Sequence, residues 1–299
     1  MNSTKALKGI IPVLLSPLNK DGSVDHKGTS NLVDFLIKAG SGGFWAMGSA
    51  SEDINLTKET RLESLRVVSE VNARRVPIIA GAGLTSIDDI YNFFDDVADL
   101  AIDGIHILPY DIKMGETRLV HFLNLLADKS PVPIWMYHNP KRGRAISANV
   151  IKEVHQHENI AGIKVGGYNL TEMLSAVMFK SDGFDVIGAG SGQLYSMLSL
   201  GAEAHTTSDA SVFPEPFVDV YNTFKEGRLE EAREKQFKLI NLSKSLPRTD
   251  NGEYAAEEKY MLSLRGVCEE YVNPLYRTLS NEEKDKLRRA LQGYGFSWA

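Results

Sequence analysis

The chain reads as an α/β protein, a (β/α)8 barrel followed by a C-terminal helical extension. Three observations lead there. Short apolar runs rich in β-branched residues recur eight times, stretches with helical spacing separate them, and after Lys225 the strand signal stops while helical periodicity continues. Because the runs are apolar on successive residues instead of alternating, they suit parallel strands covered on both faces. A mean repeat of roughly 27 residues favours a closed barrel over an open doubly wound sheet, which stays the alternative.

The predicted strands are 10–15, 43–47, 77–81, 104–108, 132–137, 160–165, 184–189 and 203–207. The first predicted helix, 25–39, places Leu32, Phe35, Leu36 and Ala39 on one face. The second, 57–73, opens on Thr57-x-x-Thr60, a capping pattern without the usual final Glu but with Glu59 in its first turn. Helices at 86–100, 115–127, 147–157, 169–180, 192–200 and 214–225 complete the repeats, several with Ser or Asn near their start. The barrel is assigned to residues 1–225. The extension, 226–299, has helical stretches at 229–245, 255–266 and 280–291, broken by Pro247-Arg248-Thr249-Asp250-Asn251-Gly252 and by Asn273-Pro274.

With 33 basic and 39 acidic residues among 299, the formal net charge is −6, so no electrostatic footprint for nucleic acid or an anionic membrane is present. The one cysteine, Cys268, has no internal partner for a disulfide and gives no sign of an oxidising compartment. The apolar run at 10–15 is too short for a signal-peptide core, and no segment reaches the ~18 apolar residues of a membrane span. A cytoplasmic enzyme acting on small molecules is the expectation.

Barrel enzymes take catalytic groups from the C-terminal ends of their strands. Lys164 interrupts the apolar run Ile160-Ala-Gly-Ile-Lys164-Val near the end of strand six. A solvated or ion-paired lysine is the plain alternative. Partly desolvated in the barrel mouth, its amine loses basicity and can attack a carbonyl to form a Schiff base. Tyr137 ends strand five, next to strand six, where a phenol can donate and take back a proton; a core tyrosine is the competing reading. The turn Met47-Gly48-Ser49-Ala50-Ser51-Glu52-Asp53 after strand two offers backbone N–H groups and a hydroxyl to a carboxylate, or is only a small-residue turn.

Taken together these segments resemble the dihydrodipicolinate synthase and N-acetylneuraminate lyase family of class I aldolases. The family's Gly-[Ser/Thr]-x-x-Glu turn is similar to Gly48-Ser49-Ala50-Ser51-Glu52, its Gly-x-Gly to Gly81-Ala82-Gly83, and its Pro-Tyr to Pro109-Tyr110. Its Tyr-x-x-Pro matches Tyr137-His138-Asn139-Pro140, and its Gly-[Ile/Val]-Lys matches Gly162-Ile163-Lys164, in order across residues 8–225. The resemblance implies a carbon–carbon lyase or aldolase in which pyruvate is bound as an imine on Lys164. Ser49 and the Ala50 N–H would hold its carboxylate, Tyr137 would shuttle protons, and an aldehyde would be the second partner. It implies no metal or other cofactor, and a homotetramer. Arg142 falls where the synthases bind a second carboxylate, with Arg144 nearby; a solvated basic turn is the alternative.

The chain departs from the pattern in three places. Asp111 stands where the synthases carry a second Tyr of a proton relay that crosses a subunit interface, and Ala50 where they have a second Thr. Gly190-Ser191-Gly192 replaces the acidic pair with which sialic-acid lyases hold a sugar, although Ser208 matches a sugar-contacting serine of that group. The polar strand 203–207 is expected to turn its side chains to the mouth, so that His205 and Asp209 contact or protonate a hydroxylated substrate; a structural histidine is the alternative. A 2-oxo-3-deoxy sugar acid dehydratase and a true 4-hydroxy-tetrahydrodipicolinate synthase are the neighbouring readings. A non-catalytic 2-oxo acid-binding protein is the reading of another class. A phosphate cradle at Gly188-Ala-Gly190-Ser-Gly192 and a metal pair at His155-Gln-His157 are weaker, since the latter's i and i+2 positions point to different helix faces.

Overall fold

The computed structural model describes residues 7–166, 170–248 and 254–299. The eight expected strands form: β1 (Gly9–Pro12), β2 (Phe44–Ala46), β3 (Ile78–Gly81), β4 (Gly104–Ile107), β5 (Ile134–His138), β6 (Ile160–Val165), β7 (Asp185–Ala189) and β8 (Ala204–Thr207). All neighbours pair in parallel, in the order β1-β8-β7-β6-β5-β4-β3-β2. The predicted first strand ran to residue 15, but after Pro12 the chain changes partner. Val13 N–H donates to Thr207 O (3.2 Å), and Leu14 N–H donates to Trp45 O (3.0 Å). That hand-over from β8 to β2 closes the sheet into a TIM barrel.

The helices are α1 (His26–Lys38), α2 (Lys58–Asn72), α3 (Ile87–Asp96), α4 (Glu116–Lys129), α5 (Ala148–Val154), α6 (Leu170–Val177), α7 (Leu194–Ser199), α8 (Asp209–Val212) and α9 (Pro214–Lys225), followed by α10 (Leu229–Ser245), α11 (Ala255–Leu264) and α12 (Asn281–Gly293). Short polar side chains start several of them by satisfying orphan amides. Asp25 accepts from Gly28 N–H (2.9 Å), Thr57 from Thr60 N–H (3.2 Å), and Ser280 with Glu283 forms a full capping box. The single turn α8 was not expected; residues past β8 read as loop. The predicted start of the sixth helix, Asn169, and residues 249–252 of the connector lie outside the described residues.

Two apolar layers follow from strand alternation. Ile11, Trp45, Ile79, Trp135, Ile187 and Ala204 fill the barrel, while Ile78, Ile105, Ile134, Ile163 and Val186 join the helices in the outer core. Gly81 is required by close approach: a Cβ there would lie 2.1 Å from Met47 O and 2.4 Å from the His106 ring.

The extension grips the loop that follows β2. Lys259 of α11 pairs with Glu52 at 2.5 Å, the two side chains 0% and 1% exposed, and also donates to Tyr271 O (2.7 Å). Asn273 N–H donates to the other Glu52 oxygen (2.6 Å), and its side-chain amide donates to Asn55 O (2.8 Å). Glu52 itself sits at φ 59° and Met47 at φ 52°, left-handed conformations that cost non-glycine residues about 1–2 kcal/mol each and persist only when surroundings hold them. Replacing Lys259 by Met strands a charge away from water, and such loss of one partner costs about 3–5 kcal/mol. Urea unfolding followed by circular dichroism checks this, and a loss below about 1 kcal/mol, the range of an exposed pair, would contradict it.

Candidate active site

The register of β5 and β6 pairs Tyr137 with Lys164. Both side chains turn into the barrel's C-terminal mouth and line a cavity of about 590 Å³ together with Ser49, Ala50, Ser191, Thr207, Ser208 and Asp209. Lys164 is 3% exposed; its Nζ lies 4.3 Å from the Tyr137 ring centre and 4.6 Å from that of Trp45. Burial lowers the amine's pKa below the ordinary 10.5, against the pull of the Tyr137 oxygen and Asp53, with Arg142 adding to the drop. Burial raises the Tyr137 phenol, but Lys164, hydrogen bonds from Ser49 and Asn139, and Arg142 outweigh it and bring the phenol below 10.0. Both groups give up a proton more readily than in water, and their adjacency suits proton exchange between them.

A polar chain orders the phenol. Arg142 donates to Ser49 Oγ, leaving the Ser49 proton for the Tyr137 oxygen 3.4 Å away, and Asn139 Nδ2 donates to that oxygen at 3.2 Å. Arg142 also forks onto Asp53 at 3.1 and 3.0 Å, and the same carboxylate accepts from Tyr110 OH at 3.1 Å and from Ile54 N–H at 2.8 Å. Arg142, expected to meet a substrate carboxylate, has its fork on Asp53 and Ser49 and stands behind Ser49, outside the residues that line the cavity. Arg144 donates to Met114 O (2.8 Å). Asp111 is exposed, paired with Arg118 and closing a local turn through Lys113 N–H (2.9 Å), with no hand in the chain from Tyr137 to Tyr110.

The placement of His205 is a correction. Ala204, its neighbour in β8, faces the barrel, so His205 faces the helices, where it fills with Met197 the space beside Gly188. It is fully buried, does not line the cavity, and its Nε2 lies 2.8 Å from Gly190 O. The polar strand had suggested mouth-facing side chains throughout, but alternation sends every second one outward. Ser208 and Asp209 do line the cavity. Asp209 accepts from Ser191 Oγ (2.5 Å), opposing an anion at the Gly190 turn that the phosphate reading required. His157 pairs with Asp128 (3.1 Å) and His155 with backbone carbonyls of its own helix. Among the described residues no group of three or more His, Cys, Asp or Glu is placed to hold a metal ion.

Sequence reasoning missed Trp45, Asp53, His106, Arg248 and Glu258. His106 stacks on Trp45 with ring centres 4.3 Å apart and meets the Tyr137 ring edge-on at 5.7 Å, completing the aromatic lining around Lys164. A histidine between two isoleucines of a buried strand, at an inward position like Trp45 and Tyr137, was the available signal.

A sequence profile of the dihydrodipicolinate synthetase family matches residues 6–294. The chain is 28% identical over 297 residues to a 4-hydroxy-tetrahydrodipicolinate synthase of Gluconacetobacter diazotrophicus, covering 98% of each sequence. Its backbone is similar to the dihydrodipicolinate synthase of Bacteroides thetaiotaomicron, with TM-score 0.91, 26% identity and coverage of 96% of this chain and 99% of the other. A likeness of fold extends to a prophage protein of the dihydrodipicolinic acid synthase family from E. coli K12, solved in complex with pyruvate, with TM-score 0.89, 24% identity and coverage of 97% and 99%.

The buried histidines make a pH prediction. Burial and the nearby Lys164 charge push His106 from 6.5 to about 3, and burial pushes His205 to about 4. Below 6.5 the unfolded chain takes protons that the folded chain refuses. Each ring therefore lowers stability by about 1.4 kcal/mol per pH unit as pH falls, until its folded value is reached. His106→Gln removes one of these two contributions. Unfolding free energies measured between pH 6.5 and pH 4 should show a shallower slope in the variant; identical slopes would contradict the burial of a neutral ring.

Proposed function

Because the chain belongs to the dihydrodipicolinate synthetase family, a class of Schiff-base pyruvate aldolases and synthases, we propose that it makes or cleaves a carbon–carbon bond between pyruvate and an aldehyde through an imine on Lys164. The observation that carries this reading is the juxtaposition of a desolvated amine with a hydrogen-bonded phenol at the barrel mouth. Neutral Nζ attacks the 2-oxo carbon, the carbinolamine loses water, and the protonated imine draws electrons from C3. Loss of a C3 proton gives an enamine whose carbon adds to the aldehyde, and hydrolysis returns the free amine. Tyr137 carries the proton between carbinolamine oxygen, imine nitrogen and product hydroxyl, with Ser49 as its relay partner. Ser49 and Ala50 take the pyruvate carboxylate, and Ser208, which lines the same cavity, contacts the aldehyde.

The chain acts as a homo-oligomer in this proposal. Leu170, Leu174 and Met178, spaced four apart at and just beyond α6 and 55%, 42% and 83% exposed, offer an apolar stripe for self-association. A cytoplasmic location fits a chain in which no described helix is long and apolar enough to cross a membrane.

Incubation with pyruvate and borohydride followed by peptide mapping tests the reading. A reduced pyruvyl adduct is expected on Lys164 in the wild type and is lost in Lys164→Ala. Tyr137→Phe is expected to retain the adduct while turnover falls by about 10²-fold or more. Absence of an adduct in the wild type would favour the non-catalytic alternative, and normal turnover in Tyr137→Phe would remove the phenol from the mechanism.

A further inference from the structure

Trp45 and His106 meet although a strand lies between them. β3 separates β2 from β4, and stacking across it is possible because the β3 residue paired with His106 is Gly81. A Cβ there would stand 2.4 Å from His106 Cε1 and 2.5 Å from Nε2. With that space open, the imidazole lies flat on the indole, ring centres 4.3 Å apart and planes 14° from parallel. Its Nε2 lies 3.0 Å from Ala46 O on β2, and since a carbonyl can only accept, the ring proton sits on that nitrogen. Nδ1 is buried with no hydrogen-bond partner among the described residues, so a second ring proton would find no acceptor and the imidazole stays neutral. The same ring meets Tyr137 edge-on at 5.7 Å and 88°, and Trp45 meets Tyr137 at 5.6 Å and 78°. One neutral ring therefore packs on both aromatic groups that flank Lys164 Nζ.

The stacked imidazole fills one face of the indole, so Nζ, 4.6 Å from the Trp45 ring centre, has the other. Trp45 is a slab between amine and histidine. Without its support the indole turns about its side-chain torsions and admits water to Nζ. Withdrawing an ammonium from water costs more than a ring face returns to it, so loss of the slab restores basicity even though a cation–ring attraction goes with it. The groups that face Nζ with a charge or a titrating proton are the Tyr137 phenol in contact and Asp53 and Arg142 farther off, while His106 and His205 are uncharged at neutral pH. His106 adds shape to this balance and no charge. We propose that His106 is a positioning residue for Lys164, holding the Trp45 indole and the Tyr137 ring against Nζ so that water is kept from the amine. This rests on the reading of Lys164 as the imine-forming residue and adds the support that keeps its amine reactive.

The test compares the wild type with His106→Gln and His106→Asn. Two quantities are read: the titration midpoint of the Lys164 ε-carbon by NMR in the ligand-free protein, and the rate of borohydride trapping of pyruvate across pH. Gln keeps a donor for Ala46 O and gives up the ring, whereas the shorter Asn gives up both. In each variant the Lys164 midpoint is expected to rise by about one pH unit or more toward 10.5. Trapping at neutral pH then falls about tenfold, because the free-amine fraction falls tenfold per unit, and it is regained as pH rises through the new midpoint. A side chain with a packing role alone would lower trapping at every pH and leave the midpoint in place. An unmoved or lowered midpoint in a variant with native near-ultraviolet circular dichroism therefore overturns the proposal, and two variants keep the test decisive if one folds poorly. Failure of the wild type to trap pyruvate overturns the imine reading, while the ligand-free midpoints still decide the role of His106.

Discussion

The site depends on keeping one lysine amine out of water. Desolvating an ammonium costs several kcal/mol, whereas a cation over an aromatic face recovers about 0.5–2 kcal/mol. With Trp45 and Tyr137 on two sides of Nζ, the aromatic attraction softens the penalty without cancelling it, and the balance falls on the side of a weakened base. The rest of the surroundings preserve that balance. His106, packed on Trp45, stays neutral, and the Arg142 charge, which would otherwise disfavour a second cation still more, is matched by Asp53. A full carboxylate in contact with Lys164 would have reversed the outcome by stabilising the ammonium. Asp53 acts on it only at a distance, through its charge.

Holding this arrangement requires the turn after β2 to keep a shape its sequence does not favour. Met47 and Glu52 both adopt left-handed backbone conformations, and Gly81 packs so closely on the carbonyl of the first that no side chain fits there. The opposing support comes from the far end of the chain, where Lys259, Asn273 and Tyr276 bind Glu52 and Asn55. The C-terminal helices therefore take part in positioning Ser49, and through it Tyr137, although they contribute no strand. Their connector also supplies Arg248 to the lining of the cavity.

Much of this was legible in the sequence for definite reasons. The strands read clearly because both faces of a barrel strand are covered, so each run stays apolar, and Lys164 stood out as a cation inside one of them. The pairing of Tyr137 with Lys164 followed from consecutive strands being neighbours. What could not be read was the partner of each polar group. Asp53 and Arg142 are 89 positions apart, and nothing local says that the carboxylate engages the guanidinium. His205 was placed at the mouth because a polar strand offers no apolar face from which to judge inward from outward. Arg248 lay in a segment read only as a connector, and Glu258 in a helix read only as packing, since long-range closure of the extension onto the barrel leaves no periodic mark.

The account stands or falls on the ionisation of Lys164. Carbon-13 labelling of the lysine ε-carbons and titration by NMR measures it directly in the ligand-free protein, with Lys164→Met identifying the resonance. The account predicts a resonance, absent from that variant, whose midpoint lies clearly below 10.5. A Lys164 resonance titrating at or above that value would mean a solvated or ion-paired ammonium and would contradict it.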